Sequence, residues 1–213
     1  LARSRGLGDV YKRQKVSLSG AKFLALTSSL LFFLSTYFLG AHCLLLAPFV
    51  LGVLFFYSYS KRFTSFSHII LGLSLALAPG GAWWVLRPAV ELEPIVLMLA
   101  VLLWVGGFDI LYSCQDEAFD KENKLFSIPQ KLGVKNALRV ALALHIVSYL
   151  LFFYFGNLLY LGPIYNWGLL VLGVLFLGQH FLISADDLSR INKAFFTCNG
   201  LLSICYFFLV LIS

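Results

Sequence analysis

Seven long apolar stretches constrain this chain more than any other feature of its sequence. Several of them reach the roughly 20 residues that an α-helix needs to cross a hydrocarbon layer about 30 Å thick. The stretches lie at Phe23–Gly40, Cys43–Tyr59, Ser67–Leu86, Pro94–Tyr112, Ala137–Phe155, Tyr160–Ile183 and Ala194–Ser213. Only 12% of the residues are charged, against about a quarter in a soluble protein. We therefore predict an integral membrane protein with an all-α fold, a polytopic transmembrane helical bundle. A membrane β-barrel does not fit, because its strands are only about ten residues long and alternate in polarity.

The positive charges predict the orientation. If all seven stretches span, one side of the membrane receives eleven Lys and Arg residues, from Lys15 to Lys193, and the other side receives only Arg87. Cytoplasmic loops carry such an excess, so we expect this side to face the cytoplasm, in a bacterial inner membrane. The net charge of +6 then reflects topology, and we expect no nucleic-acid partner.

Three acids stand where the fourth stretch leads into the longest connection, Ser113–Asn136. On one continuous helix, Asp109, Tyr112, Asp116 and Asp120 would fall within roughly 80° of one another. Stacked carboxylates are costly to desolvate unless a hard cation or a water-filled cavity balances them. Asp116 and Asp120 are therefore predicted to bind Mg²⁺, with water and substrate phosphates as the other ligands. Asp109 lies deeper, where it would orient a metal-bound water or complete the site.

A solvated helix end is the alternative interpretation of these acids, with Lys121 and Lys124 as their partners. Asp109 argues against it, because an acid within an apolar span is by default a candidate for function. Tyr112 and Gln115 add hydrogen-bonding groups beside the acids, which a merely solvated turn would not need.

A basic cluster follows the second stretch, on the same side as the acids. Its sequence is Tyr57-Ser-Tyr-Ser-Lys61-Arg62-Phe-Thr64. Arg offers two parallel hydrogen bonds to phosphate or carboxylate and Lys a point charge, so the cluster suits an anionic substrate. Ordinary positive-inside anchoring beside an aromatic belt is the alternative.

The remaining polar features carry weaker predictions. Pro79-Gly80-Gly81 interrupts the third stretch and predicts a kink, either lining a cavity or serving packing. Asn199 is a candidate for a polar contact between helices. Four histidines occur singly, without the spacing of a metal site, and are interpreted as packing or interface residues: His42, His68, His145 and His180.

The two polar motifs resemble those of one membrane-enzyme family. The acidic pattern Asp109-x-x-Tyr-x-x-Gln-Asp116-x-x-x-Asp120, followed by Ser127-Ile-Pro and Leu132-Gly133, resembles the second aspartate-rich motif of the UbiA superfamily of intramembrane aromatic prenyltransferases. Tyr57-x-x-x-Lys61-Arg62-x-Thr64 is similar to that family's basic motif. Among its members, the chain looks most like the 4-hydroxybenzoate polyprenyltransferases or their relatives in the futalosine route to menaquinone.

The resemblance implies a Mg²⁺-dependent enzyme in the lipid bilayer. It would transfer a polyprenyl group from polyprenyl diphosphate to an aromatic acid, either 4-hydroxybenzoate for ubiquinone or a dihydroxynaphthoate for menaquinone. Asp116 and Asp120 would hold Mg²⁺, Asp109 would orient or deprotonate the aromatic substrate, and Lys61 and Arg62 would bind diphosphate or the aromatic carboxylate. The expected catalytic residues are Asp109, Tyr112 and Arg62. The expected substrate-binding residues are Tyr57, Lys61, Arg62, Gln115, Lys121 and Lys124.

The resemblance also predicts the organisation of the chain. Residues 1–14 look like a non-native tail, and residues 15–213 look like the C-terminal two thirds of a prenyltransferase domain, with about seven of an expected nine spans. The family's first aspartate-rich motif would then precede Lys15, so we expect this stretch of protein to be inactive alone.

Two other functional classes are alternatives to a prenyltransferase. A transporter or proton-coupled carrier would account for Asp109, since intramembrane acids mark ion pathways. It would not account for the Asp116 and Asp120 pair, and no inverted repeat is visible. A non-catalytic membrane scaffold would leave the acidic stripe without a use.

Overall fold

The computed structural model describes residues 17–213, so the predicted non-native tail at 1–14 lies outside the described residues. These residues form nine α-helices and no strand. The helices are α1 Leu18–Leu39, α2 Ala41–Ser60, α3 Ser67–Leu86, α4 Leu92–Ser113, α5 Glu117–Glu122, α6 Ile128–Leu132, α7 Val134–Leu158, α8 Gly162–Phe181 and α9 Asn199–Ile212. A 3₁₀ turn at Cys114–Asp116 joins α4 to α5, and a π-helical segment at Lys193–Cys198 leads into α9.

Seven helical stretches are long and apolar enough to cross a membrane. They correspond one to one with the seven predicted spans, and the fourth continues through the 3₁₀ turn to Glu122. The chain is an integral membrane protein, and the predicted all-α helical fold is confirmed.

The chain forms two compact units that divide between Gly52 and Val53, inside α2. In the first unit, the Ser17 hydroxyl caps α1 by accepting a hydrogen bond from the Gly20 amide at 3.1 Å. Such a cap satisfies one of the amide groups that the first helical turn leaves without a partner.

In the second unit, α4 is the central helix and packs most extensively against α3 and α7. Gly72 of α3 permits the close approach of α3 to α4, because a Cβ atom at this position would collide with the Leu102 carbonyl oxygen. This contact brings the two helix backbones together beneath the ends that carry the polar motifs.

Two apolar clusters make the core of the second unit. The larger one joins α4, α7, α8 and the last span around Trp104, Phe152 and Phe176. The smaller one lies below the acidic motif and includes Ile110, Ile128 and other buried residues. Ile128 follows the acids in the chain, so its burial anchors the polar segment to the helices.

α3 is helical at every residue from Ser67 to Leu86, so Pro79 does not interrupt the helix, and the kink expected there stays a prediction. One missing amide hydrogen bond does not end this helix, whose neighbours hold it in place. The acidic stripe is also not a single α-helix, because the chain tightens at the 3₁₀ turn, which rotates the later residues by roughly 60° relative to a regular helix.

Candidate active site

The two polar motifs meet in the structure. The Lys61 ammonium lies 3.4 Å from Asp120 Oδ2, and the Phe126 amide donates a hydrogen bond to the Lys61 carbonyl oxygen at 2.8 Å. The Asp120 side chain is only 2% exposed, while that of Lys61 is 33% exposed. A contact between residues 59 positions apart therefore joins the basic turn, residues 61–66, to the acidic segment, residues 114–133.

Local hydrogen bonds shape the acidic segment. The Leu125 amide donates to the Asp120 carbonyl oxygen at 2.9 Å after the end of α5. The Ser127 hydroxyl then caps α6 by accepting from the Gln130 amide at 3.2 Å. Gly133 ends α6 with φ at +75°, a conformation that favours glycine. Ser127 and Gly133 therefore begin and end α6, the short helix that follows the acids.

Asp109 has a partner that the sequence did not indicate. Nδ1 of His68 lies 2.6 Å from Asp109 Oδ2, and the Ile128 amide donates to His68 Nε2 at 3.4 Å. The His68 side chain is completely buried, so the interpretation of His68 as a packing residue is incomplete. Its position in the first turn of α3, just after the basic turn, is the signal that could have identified it.

Asp116 lies close enough to Asp109 and to the Lys61 and Asp120 pair to be influenced by their charges. It is half-buried. Among residues 17–213, no three His, Cys, Asp or Glu side chains gather closely enough to hold a metal ion by themselves. Mg²⁺ is commonly held by one or two carboxylates together with water and substrate phosphates. The donors present therefore fit Mg²⁺ that arrives with a diphosphate, and they do not fit an all-protein metal cage.

Several predicted substrate-binding residues lie at the surface of the acidic segment. Lys121 pairs with Glu117 one helical turn away, so Asp116 and Asp120 are not its partners. Lys124 is exposed and adopts φ of +55° where the chain leaves α5. Gln115 is exposed in the 3₁₀ turn. The structure therefore keeps these three polar groups accessible without joining them to the buried contacts.

The basic turn presents its second cation outward. Arg62 is exposed, and its guanidinium carbon lies 5.6 Å from the centre of the Tyr59 ring, a distance at which a cation is attracted to an aromatic face. Tyr57 is half-buried in the last turn of α2. Arg62 thus remains available for an anion, while Lys61 is engaged by Asp120.

The start of the last span packs against Tyr112. The Phe195 ring lies 4.2 Å from the Tyr112 ring, centre to centre, and belongs to the π-helical segment. Asn199 donates to the Phe195 carbonyl oxygen at 2.9 Å and accepts from the Trp104 indole at 2.9 Å. The polar contact predicted for Asn199 is therefore present, and it joins the last span to α4.

The sequence profile described as the UbiA prenyltransferase family matches residues 10–209. The chain belongs to the UbiA prenyltransferase family. The match includes both the basic turn and the acidic segment, so the contact between them is a feature of the UbiA domain of this protein.

Curated relatives of this UbiA chain carry related names. A 4-hydroxybenzoate octaprenyltransferase from Francisella tularensis subsp. novicida (strain U112) is 24% identical over 199 residues, which cover 93% of this chain and 69% of the relative. An enzyme of the same name from Vibrio atlanticus (strain LGP32) is 31% identical over 150 residues, which cover 70% of this chain and 52% of the relative.

Solved structures support the UbiA fold. The apo structure of a UbiA homolog from Aeropyrum pernix K1 matches with a TM-score of 0.83 and 30% identity, covering 92% of this chain and 73% of that one. The structure of a digeranylgeranylglyceryl phosphate synthase matches with a TM-score of 0.67 and 20% identity, covering 93% and 72%. The second likeness concerns the fold alone.

Proposed function

We propose that this protein transfers a polyprenyl group from polyprenyl diphosphate to an aromatic acid, with 4-hydroxybenzoate as the first candidate acceptor. The observation that carries the proposal is the contact of the basic turn with the acidic segment, through Lys61 and Asp120, beside the intramembrane acid Asp109. Acids and cations at one end of apolar helices suit a reaction between a metal-bound diphosphate and a lipid-soluble chain. The names of the Francisella and Vibrio relatives support this acceptor.

The anionic donor would bind between the two motifs. Asp116 and Asp120 supply carboxylate oxygens for Mg²⁺, and prenyltransferases of this family are generally metal-dependent. When bound, Mg²⁺ would neutralise charge that develops on the departing diphosphate. Arg62 is exposed and offers two parallel hydrogen bonds to phosphate, while Lys61 would exchange its contact with Asp120 for one with the substrate.

Asp109 would act on the acceptor. In the proposed reaction the C1–O bond of the polyprenyl diphosphate breaks, and its electron pair leaves with the diphosphate. The acceptor ring carbon ortho to the hydroxyl then bonds to C1 and loses its proton. The partly exposed Asp109 carboxylate would orient the phenol and accept its hydroxyl proton, a role in which a positioned side chain contributes about 10²- to 10⁴-fold to the rate. The proton lost by the ring carbon would restore the hydroxyl group on the phenol oxygen, and the proton on Asp109 would pass to water, so that one proton is released in each turnover.

The orientation of the site and the roles of its outer residues are also proposals. We propose that the acidic segment faces the cytoplasm. If all seven apolar helices span, the segment lies on the side that receives eleven of the twelve cations counted beyond the N-terminal tail, and cytoplasmic loops carry such an excess. Tyr57, Tyr112, Gln115, Lys121 and Lys124 would line the entrance to the site.

The test is a prenyl-transfer assay in bacterial inner membranes, with the protein expressed together with whatever sequence its gene places upstream of Lys15. Polyprenyl diphosphates are offered with 4-hydroxybenzoate or with a dihydroxynaphthoate, and the prenylated acid and the released diphosphate are measured. We expect transfer to 4-hydroxybenzoate that requires Mg²⁺ and stops when EDTA removes it. Transfer to the dihydroxynaphthoate alone would correct the acceptor.

A matched pair of variants tests the metal role. We expect Asp116→Asn to lower transfer by about 100-fold or more, because the developing charge loses part of its stabilisation. Glu122→Gln removes an exposed acid from the same segment and should leave the rate unchanged. Properly inserted protein that moves ions and forms no prenylated product would instead favour a transporter.

A further inference from the structure

We propose that His68 is a positioning residue that holds the Asp109 carboxylate for the acceptor and couples it to the acidic segment. The inference rests on the proposed function, because Asp109 acts there on the phenol. It adds a residue that lies outside both polar motifs. Its basis is the chain of contacts from the Ile128 amide through the His68 ring to Asp109 Oδ2.

The two ring nitrogens of His68 have distinct partners, which determine its tautomer. A backbone amide can only donate, so the Ile128 amide at 3.4 Å requires a lone pair on Nε2. The proton of the neutral ring is then on Nδ1, which donates to Asp109 Oδ2 at 2.6 Å. Because the ring is completely buried, it cannot turn to another partner without losing both hydrogen bonds.

As a consequence, the two oxygens of the Asp109 carboxylate have different roles. Oδ2 is occupied by His68, which limits rotation of the group, and Oδ1 is left to meet a substrate. The Asp109 side chain is 16% exposed, so the carboxylate is not sealed from a substrate. A carboxylate held in this way approaches a phenolic hydroxyl in one orientation, and such positioning lowers the barrier of the chemical step.

The second consequence is coupling to the acidic segment. Ile128 is buried in the smaller apolar cluster, six residues beyond the end of α5, and the neighbouring Phe126 amide is bonded to Lys61. The packing that holds the acidic segment against the helices therefore also places the Ile128 amide on Nε2. The position of the segment and the orientation of the Asp109 carboxylate are linked through the His68 ring.

Three variants test the inference. In His68→Asn the amide nitrogen lies near the place of Nδ1 and can still donate to Asp109. In His68→Phe the ring shape remains without either hydrogen bond. We expect His68→Phe to lower kcat by about 100-fold, within the range for positioned acid–base groups, while the KM for polyprenyl diphosphate changes less than about twofold. We expect His68→Asn to recover at least about tenfold of that loss, and His68→Gln, whose amide lies near Nε2, to recover less.

A purely structural role predicts a different pattern. It would make the three variants fall together and raise the KM for both substrates, and that result would overturn the proposal. A His68→Phe protein that inserts normally and transfers at the wild-type rate would overturn it as well.

A measurement without turnover separates this inference from the proposed function. Protein with ¹⁵N-labelled histidine is reconstituted in bilayers, and the His68 signal is identified by its loss in His68→Asn. We expect a protonated Nδ1 and an unprotonated Nε2. A protonated Nε2 would refute the inference even in an active enzyme. Absence of transfer to every acceptor, with the expected tautomer present, would refute the proposed function and leave the His68 contacts established.

Discussion

Two polar clusters lie among the apolar helices of the second unit, and they differ in charge and in access. The loop-end cluster consists of Lys61, His68, Asp109 and Asp120. The mid-helix cluster consists of Trp104, His145, Gln179, His180 and Asn199. Both clusters bury polar atoms where lipid-like surroundings penalise them. Only the loop-end cluster contains carboxylates and an ammonium group.

Most hydrogen bonds of the mid-helix cluster join its own members, although His180 is half-buried and the side-chain oxygen of Gln179 has no partner among the described residues. His145 is fully buried, accepts from His180 Nε2 on its Nδ1 at 2.7 Å, and donates from its Nε2 to the Trp104 carbonyl oxygen at 3.1 Å. The Trp104 indole donates in turn to Asn199. Neutral hydrogen bonds of this kind contribute about 0.6 kcal/mol each between membrane helices. We interpret this cluster as packing of α4 against α7, α8 and the last span.

The loop-end cluster is open. Lys61 keeps a third of its side chain exposed and Asp109 16%, and Arg62 is exposed beside them. Ionised groups next to membrane helices are costly unless a partner compensates them. We infer that the intramembrane polar residues to test for chemistry are those that have both a charge and access to substrate. Burial of a histidine alone does not identify them.

The largest effect expected of a single substitution in the loop-end cluster belongs to Asp109→Asn. The change keeps the shape of the side chain and the hydrogen bond from His68, but it removes the base. We expect kcat to fall by about 10²- to 10⁴-fold, with little change in the temperature of unfolding. The measurement is steady-state transfer in proteoliposomes, beside a thermal unfolding curve.

Asp187→Asn is the matched control for Asp109→Asn. Asp187 lies in the exposed turn before the last span, and hydrogen bonds from Ser189 lower the pKa of its carboxyl, so it is ionised at neutral pH. We expect this variant to transfer at the wild-type rate. Equal losses in the two variants would mean that the rate follows net charge, contrary to the role given to Asp109.

The second prediction concerns the Lys61 and Asp120 pair, in which a buried carboxylate meets a partly exposed ammonium group. Lys61→Met leaves the buried carboxylate without its partner and should lower the free energy of unfolding by about 1–3 kcal/mol. The double variant Lys61→Met/Asp120→Leu removes both charges and should recover most of that stability. Transfer should remain low in both, because the proposed metal and diphosphate contacts are absent.

Unfolding in detergent and transfer in membranes measure the two properties separately. Recovery of the rate along with stability in the double variant would show that the pair serves the fold alone. An unchanged stability in Lys61→Met would show that solvent replaces Lys61 at no cost.

The spans and the motifs were predictable because each depends on local sequence. A run of apolar residues predicts a membrane helix wherever it occurs, and all seven predicted spans are present, including the short second one. The assignment to a UbiA-type fold from residues between Tyr57 and Gly133 is confirmed by the family match. These features needed no knowledge of which helices are neighbours.

The contacts within the site were not predictable in the same way. His68 and Asp109 are 41 positions apart, and His68 and Ile128 are 60 apart, so their pairing depends on how α3 packs on α4. Under the alternative interpretation of a solvated helix end, Lys121 would pair with Asp116 or Asp120. It pairs instead with Glu117, because residues one turn apart on a helix are neighbours. Continuity of α3 through Pro79 likewise depends on packing, which composition does not reveal.

Substitution in the mid-helix cluster is expected to change the transfer rate least. His145→Phe keeps an aromatic ring between α4 and α7 and removes the hydrogen bonds to His180 and to the Trp104 carbonyl oxygen. We expect the free energy of unfolding to fall by about 1 kcal/mol, and transfer below the unfolding temperature to stay within about threefold of wild type, well short of the losses that removal of a catalytic group causes. This is the reverse of Asp109→Asn, which should lower the rate and leave stability nearly unchanged. A loss of transfer in His145→Phe as large as that in Asp109→Asn, at equal stability, would show that the mid-helix cluster takes part in the chemistry and that access is the wrong criterion.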